Sequence, residues 1–311
     1  MEPKKVSVKP AIRPELLNTS AYLNGYSPFV PWSNAIGCKP NLIKYTERYC
    51  SSFLAEEYLL NSYYTRGDVE AQLSVEQFYA DASIVMQSLN NHRDYINLPI
   101  IPLPAGIALE MSLGDAILKR RSVSQFTGDA ISINYLATIA RVARGISDKA
   151  MAQLDKGNEV RLNFNAVSSA GHLYPVDLYF LVLNVKGLKK GIYLYSDHED
   201  KLIQTGDAEQ ASQILASFSV AENYYQHTKS SYICLFAAHP WKSMSKYGNR
   251  GLRFVLQEIG AMTQNIHLAN VCLGLGSVDW GSYYENEVNQ VMGFDGVNQS
   301  VLHVLLAGIS G

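Results

Sequence analysis

The longest periodic stretch of the chain does most to limit what it can fold into. From Arg250 to Cys272, the residues Leu252, Val255, Leu256, Ile259, Met262 and Ile266 recur at intervals of three and four, which places them on one face of a helix. A helix of that length with one apolar face has to lie against another layer, and the segments around it read as strands. Residues 176–184 and 191–195 are β-rich and are joined by a glycine-containing turn at 185–190, the pattern of a strand pair. Residues 230–238 form a short apolar run expected to be a buried strand, and 300–306 closes the chain as another. Shorter helices are expected at 112–119 and 132–146, the second with Ser132 as N-cap. Helices alternating with strands indicate a layered α/β or α+β domain.

Composition narrows the function more than the fold. Hydrophobic residues make up 47% of the 311-residue chain and charged residues 17%, the balance of a folded protein. The 20 tyrosines could line a cleft for a flat ligand or serve as packing residues. A formal net charge of −2 gives no general attraction for nucleic acid. Cys38, Cys50, Cys234 and Cys272 are far apart, which argues against a zinc site or a disulfide framework; Cys234 and Cys272 sit in apolar runs and read as core. The first five residues lead into no apolar signal region, and no apolar run approaches the roughly 20 residues of a membrane span. A soluble, cytoplasmic protein is expected. No GxGxxG follows an early strand and no GxxxxGK[ST] is present, so neither a Rossmann dinucleotide site nor a P-loop is signalled.

Pro99, Pro102 and Pro104 force an extended segment at 98–104. It divides a mainly helical region, 1–104, with helical periodicity at 41–64 and 73–90, from a mixed region, 105–311.

Four motifs in the second region could carry chemistry. Arg120-Arg121-Ser122-Val123-Ser124-Gln125-Phe126 puts guanidinium forks beside hydroxyls, a set suited to phosphate, although basic residues also complement a helix C-terminus. Ser168-Ser169-Ala170-Gly171-His172-Leu173-Tyr174-Pro175 offers small residues that let backbone approach a flat ligand, or forms an ordinary loop entering a strand. His172 is a candidate base or a hydrogen-bonded loop histidine. Lys246-Tyr247 precedes Gly248 and Gly251 at the entry to the long helix; the pair could accept a proton, or be an exposed lysine and a packed tyrosine. Leu273-Gly274-Leu275-Gly276-Ser277-Val278-Asp279-Trp280-Gly281 ends that helix and could lie against a planar cofactor.

Taken in order and spacing, RRSVSQF at 120–126, SSAGHLYPVDLYF at 168–180, SKYGNRGLRFVLQEIGAMTQN at 245–265 and LGLGSVDWG at 273–281 resemble the SagB-type azoline dehydrogenases, a branch of the nitroreductase superfamily. The likeness runs over 109–308, about two-thirds of the chain. It implies an α+β protein, an FMN-binding α/β/α sandwich built as a homodimer with FMN at the interface. It also implies oxidation of a thiazoline or oxazoline to the thiazole or oxazole in a ribosomal peptide or a carrier-bound nonribosomal one, with a peptide synthetase or cyclodehydratase as partner. A free-standing oxidase of the bacillamide-like kind, serving a nonribosomal synthetase, is the favoured form.

Carried over by position, the resemblance makes Lys246 and Tyr247 the catalytic pair. Arg120, Arg121, Ser122 and Ser124 would meet the FMN phosphate; Ser168, Ser169, Ala170 and Gly171 would border the flavin ring. Arg250, Gln264, Leu275, Gly276, Trp280 and Gly281 would complete the cofactor site. Relatives often carry Arg or Lys where this chain has Ser124, and Ser-Gly-Gly where it has Ser168-Ser169-Ala170. No metal is implied. Residues 1–104 are expected to grip a peptide or carrier-protein partner. The rival readings are an NAD(P)H-dependent nitro or quinone reductase and a non-catalytic scaffold of a synthetase complex.

Overall fold

The computed structural model describes residues 54–64, 69–89, 97–153, 159–219 and 226–311. The chain divides into two compact units, Met1–Tyr63 and Tyr64–Gly311. In the first unit, the described residues form one helix, α1 (Leu54–Asn61), after which the Ser62 hydroxyl donates back to Leu59 O at 3.1 Å. The rest of the expected helical stretch at 41–64 lies outside the described residues, as do Cys38 and Cys50.

The second unit is built on strands that have no wet face. β5 (Val176–Val182) and β9 (Tyr232–Ala238) lie side by side, antiparallel, with Val176 opposite Ala238 and Val182 opposite Tyr232. Their side chains alternate between two cores. Leu178, Phe180, Tyr232, Cys234 and Phe236 enter one, and Tyr179, Leu181, Ile233, Leu235 and Ala237 enter the other. Apart from Asp177 at the start of β5, both runs are apolar because both faces are covered, which is why the sequence shows no alternation there.

These strands lie within a seven-stranded antiparallel sheet. β1 (Ile100–Pro102) is one edge, followed by β8 (Lys201–Gly206), β7 (Gly191–Ser196), β5 and β9. β11 (Ser300–Gly308) comes next, and β10 (Gly276–Trp280) is the other edge. The expected pair at 176–184 and 191–195 is therefore β5 with β7. The proline-rich segment at 98–104 is extended as required, and part of it joins the sheet at an edge, where a proline is tolerated.

Helices cover both faces. On the first core lie α5 (Ile133–Arg144) and α8 (Gly251–Cys272), contributing Leu136, Ile139, Val255, Ile259, Met262 and Ile266. On the second lie α6 (Ala208–Ala216) and α9 (Glu285–Met292), contributing Ala211, Ile214 and Val288. This is an α/β/α sandwich of the α+β class. The helix expected from Arg250 starts one residue later, and Ser132 is the N-cap of α5, its hydroxyl accepting from Asn134 N at 3.3 Å. Leu256, read as part of the buried face, is 49% exposed; Glu258, two residues and about half a turn along, is buried instead. Cys234 is free and buried, Cys272 free and half-buried. No described helix is long and apolar enough to cross a membrane.

Four helices and a hairpin complete the second unit around the site. α2 (Val69–Ala80) and α3 (Ala82–Leu89) precede the sheet, α4 (Leu113–Lys119) follows β1, and α7 (Pro240–Tyr247) follows β9. α2 packs on α7, and α4 and α7 both pack on α8. β2 (Ile131–Ser132) and β6 (Val185–Lys186) form a short parallel pair, and an antiparallel hairpin, β3 (Ile146–Gln153) with β4 (Glu159–Asn165), was not expected from the sequence. Val160, Leu162 and Phe164 alternate with polar residues in β4, but β3 shows no such pattern and most of the hairpin's side chains are exposed.

Phe236 is fully buried at the centre of the sheet. Phe236→Ala should cost about 3–5 kcal/mol, read as a lower urea midpoint with an unchanged slope; a loss below 1 kcal/mol would show that the sheet centre can repack.

Candidate active site

The motif residues come together in two groups, one at each end of β9. The first group forms where β9 ends and β5 begins. Lys246, in the last turn of α7, is 1% exposed. Its Nζ donates to the Tyr79 hydroxyl of α2 at 2.6 Å. The same nitrogen lies 4.0 Å from the ring centre of Tyr79, 4.5 Å from that of Phe78 and 5.2 Å from that of Tyr247. No carboxylate pairs with it among the described residues.

The loop into β5 closes on this pair. Gly171 has φ +64°, and a Cβ there would collide with Tyr247 Oη and lie 2.9 Å from Lys246 Nζ. Only a glycine lets the backbone pass so close. His172 and Tyr174 also have positive φ, 62° and 45°, uncommon for residues with a Cβ and frequent where a loop is held for function. Ser169 Oγ, accepting from Tyr174 N at 2.9 Å, holds the loop in shape. His172 packs edge-on to Phe164 and Tyr174, and burial holds its imidazole below the ordinary range.

Beneath the loop is a cluster of charges. Arg144, 7% exposed, faces Asp197 at 3.6 Å, Asp177 at 3.8 Å and Glu258 at 3.9 Å. Burial raises Asp177, but its 2.8 Å bond to His239 and the Arg144 charge bring it below the usual carboxylate range. Glu258 is 2% exposed and neither of its oxygens completes a hydrogen bond among the described residues. Burial therefore dominates and pushes it up to about 7, although Arg144, the nearby Ser169 hydroxyl and the Val176 backbone pull the other way. Arg144, with Lys242 and His239 nearby, faces three carboxylates, and Glu258, the most deeply buried of them, is the one that burial drives toward its protonated form.

The second group forms at the other end of β9, where β11 ends and β10 begins. Val123 N donates to Ser277 O at 3.0 Å, and Ser122 bridges to Ser277, so the 120–126 segment runs alongside β10. Gly276 permits this contact, since a Cβ there would lie 2.7 Å from Val123. Ser277 Oγ is bonded to His267 of α8 at 2.7 Å; His267 and His303 both bond Asp279, at 3.1 and 2.9 Å. The two imidazoles hold that carboxyl well below its usual range against the effect of burial. Beside them a cavity of about 350 Å³ is lined by Gln264, Thr263, Leu256 and Leu302, among others.

The expected site residues fare differently. Arg120 is half-buried, and neither its guanidinium nor the hydroxyls of Ser122 and Ser124 bond another group among the described residues. One guanidinium and two hydroxyls left open on alternate residues, 120, 122 and 124, fit a phosphate. Arg121 instead turns back to Leu118 O at 2.9 Å and Arg120 O at 2.7 Å, closing the C-terminus of α4. Gln264 is exposed in the cavity, while the Leu275 and Trp280 side chains are buried, the latter stacked on Phe218 at 5.5 Å. Those two can offer a ligand only backbone. Ser168 and Gly171 are exposed, Ser169 and Ala170 half-buried; Gly281 is exposed. Arg250 stacks on Tyr64, 4.6 Å from its ring centre. Tyr79, Glu258 and the Asp279 cluster were not anticipated.

Glu258 makes stability depend on pH. Because the folded carboxyl holds its proton more tightly than the unfolded one at 4.5, its contribution is present below pH 4.5 and is lost as pH rises through about 7. Glu258→Gln keeps the shape without ionising, so wild type should lose about 1–3 kcal/mol more than the variant between pH 5 and 8, read by urea unfolding at both. Parallel losses would remove Glu258 from the effect.

Known proteins supply the frame. A protein of Methanocaldococcus jannaschii, named "Putative nitroreductase MJ1384", is 30% identical over 183 residues, which are 59% of this chain and 85% of that protein. A crystal structure of a protein of the same description from Anabaena variabilis superposes with a TM-score of 0.53 at 18% identity, over 70% of this chain and 43% of that one. The present chain thus spans less than half the length of that relative. Another, from Ralstonia eutropha, gives a TM-score of 0.51 at 17% identity, over 68% of this chain and 90% of its own. These two likenesses establish the fold. The model of the nitroreductase family matches residues 117–308, well over half the chain. The chain belongs to the nitroreductase family, whose members are flavin-dependent oxidoreductases.

Proposed function

We propose that this chain oxidises a peptide-derived thiazoline or oxazoline to the aromatic thiazole or oxazole with FMN. The observation that carries the reading is Lys246: an amine 1% exposed, without a counter-charge among the described residues, set against Tyr247 and Gly171. A reductase passing hydride from NAD(P)H to a nitro compound or quinone needs no base for its substrate. Aromatisation of an azoline does, because a proton must leave the carbon α to the carbonyl as a hydride leaves the adjacent ring carbon.

Bound FMN supplies the acceptor for that hydride. The chain's own share is to place the ring and move the proton. Lys246 Nζ takes the α proton, and the ammonium so formed lies against three aromatic faces and the Tyr79 oxygen, which stabilise a charge where solvent is excluded. Tyr247, pressed on Gly171, orients the heterocycle. Ser168, Ser169 and Ala170 border the flavin ring; Arg120, Ser122 and Ser124 take its phosphate. Residues 1–104 engage the peptide or carrier protein that presents the heterocycle, which a separate cyclodehydratase or synthetase makes.

The two groups of residues stand at opposite ends of β9, roughly 20 Å apart along a strand of this length. A homodimer that sets the 120–124 segment of one chain against the 168–171 loop of the other makes one site of two halves. Leu113, Ile117 and Leu118 on α4 and Leu256 on α8 are large, apolar and exposed, which suits such an interface.

In Lys246→Ala, flavin absorption near 370 and 450 nm should persist, while turnover of a synthetic thiazoline falls by about a hundredfold or more. Full turnover would remove Lys246 from the mechanism, and rapid bleaching of the flavin by NADPH would favour the reductase. Shared sites make a further demand. Lys246→Ala and Arg120→Ala chains, each inactive alone, should regain activity when unfolded and refolded together; a mixture as inactive as its parts would place each site within one chain.

A further inference from the structure

We propose that Tyr79 is the third residue of this site, positioning the Lys246 amine and passing its proton to solvent. The proposal rests on the reading of Lys246 as the base. Tyr79 lies on α2, outside the 117–308 span that matches the family, so the nitroreductase core does not supply it.

Three observations converge on it. First, the Tyr79 hydroxyl is the hydrogen-bond partner of Lys246 Nζ among the described residues, at 2.6 Å. A lysine side chain turns about four bonds, and a buried one without a counter-charge needs such a contact to keep its amine in one place. Second, α2 is tied to both parts of the site. Ser74 Oγ donates to Lys246 O at 3.0 Å, and Phe78 and Val85 form a small core with Leu173 of the loop, on which Tyr247 packs. Tyr79 is thus held relative to Lys246, Tyr247 and Gly171 together. Third, Tyr79 is 56% exposed, whereas Lys246 is 1% exposed. The phenol is the polar group that reaches from the sealed amine to water.

That arrangement gives the proton a way out. Once Lys246 carries the substrate's proton, an N–H breaks toward Tyr79 Oη as the Tyr79 O–H proton passes to water, so the amine is neutral again and the phenol unchanged. Lys246 has Tyr79 and Phe78 facing it from α2, Tyr247 from α7, and the Gly171 loop, whose nearest titratable group, His172, packs instead on Phe164 and Tyr174. A hydrogen bond accepted from the charged amine favours that form, so removing the phenol oxygen lets the amine shed its proton at lower pH.

Tyr79→Phe keeps the ring and its packing and deletes only the oxygen. With synthetic thiazoline and FMN-loaded protein, kcat should fall about tenfold with KM and flavin content unchanged. Independently of turnover, the pH midpoint for labelling Lys246 with trinitrobenzenesulfonate, followed by peptide mass spectrometry, should move down by about one unit. Wild-type kcat and an unmoved midpoint, with Lys246→Ala inactive, would overturn the role of Tyr79 and leave the base in place. An active Lys246→Ala would overturn both.

Discussion

The strands at the centre of the sheet have no face turned to water, and most of the molecule follows from that. Apart from Asp177, the second residue of β5, each side chain of β5 and β9 is committed to one of two cores, so the middle of these strands is closed to polar chemistry. Charged and hydroxyl groups collect where the strands end and the covering helices begin. At one end of β9 are the Lys246 pair, the strained loop and the Arg144 cluster; at the other is the 120–126 segment, and the Asp279 cluster lies along the β10–β11 edge between those levels. α8 runs between them, with Glu258 in its first half and His267 in its second. The apolar face of that helix fixes the spacing of the two groups as well as the core.

How much of this could be read from the sequence depended on the range of the interaction. Local signals held well: Ser132 caps α5, the long helix is within a residue of its expected start, and the strands at 176, 191, 230 and 300 are present. The four motifs were visible as strings because each is a turn or helix end with its own local chemistry. Which motif meets which was not visible, since Val123 reaches Ser277 and Gly171 reaches Lys246 only through the fold. Glu258 was hidden by its neighbours: it lies on the buried face with Val255, Ile259 and Met262, where a periodicity argument registers the apolar residues and passes over the polar one. Tyr79 lies 167 positions from the lysine it binds, in a helix whose periodicity was legible but which carries no chemical motif.

The two buried cations of this site are handled in opposite ways, and the contrast bears on what each can do. Arg144 is surrounded by Asp177, Asp197 and Glu258, and their charges hold its guanidinium protonated despite burial. Such a group cannot exchange protons; it can only anchor the strand end and the loop above it. Lys246 is as deeply buried, yet its surroundings are aromatic rings and phenol oxygens. Rings and hydroxyls stabilise an ammonium less than a carboxylate does, and they do not penalise the neutral amine. On the reading of Lys246 as a base, its enclosure is the part of the site that the nitroreductase core leaves to the N-terminal region: of the three rings that face the amine among the described residues, Phe78 and Tyr79 come from α2.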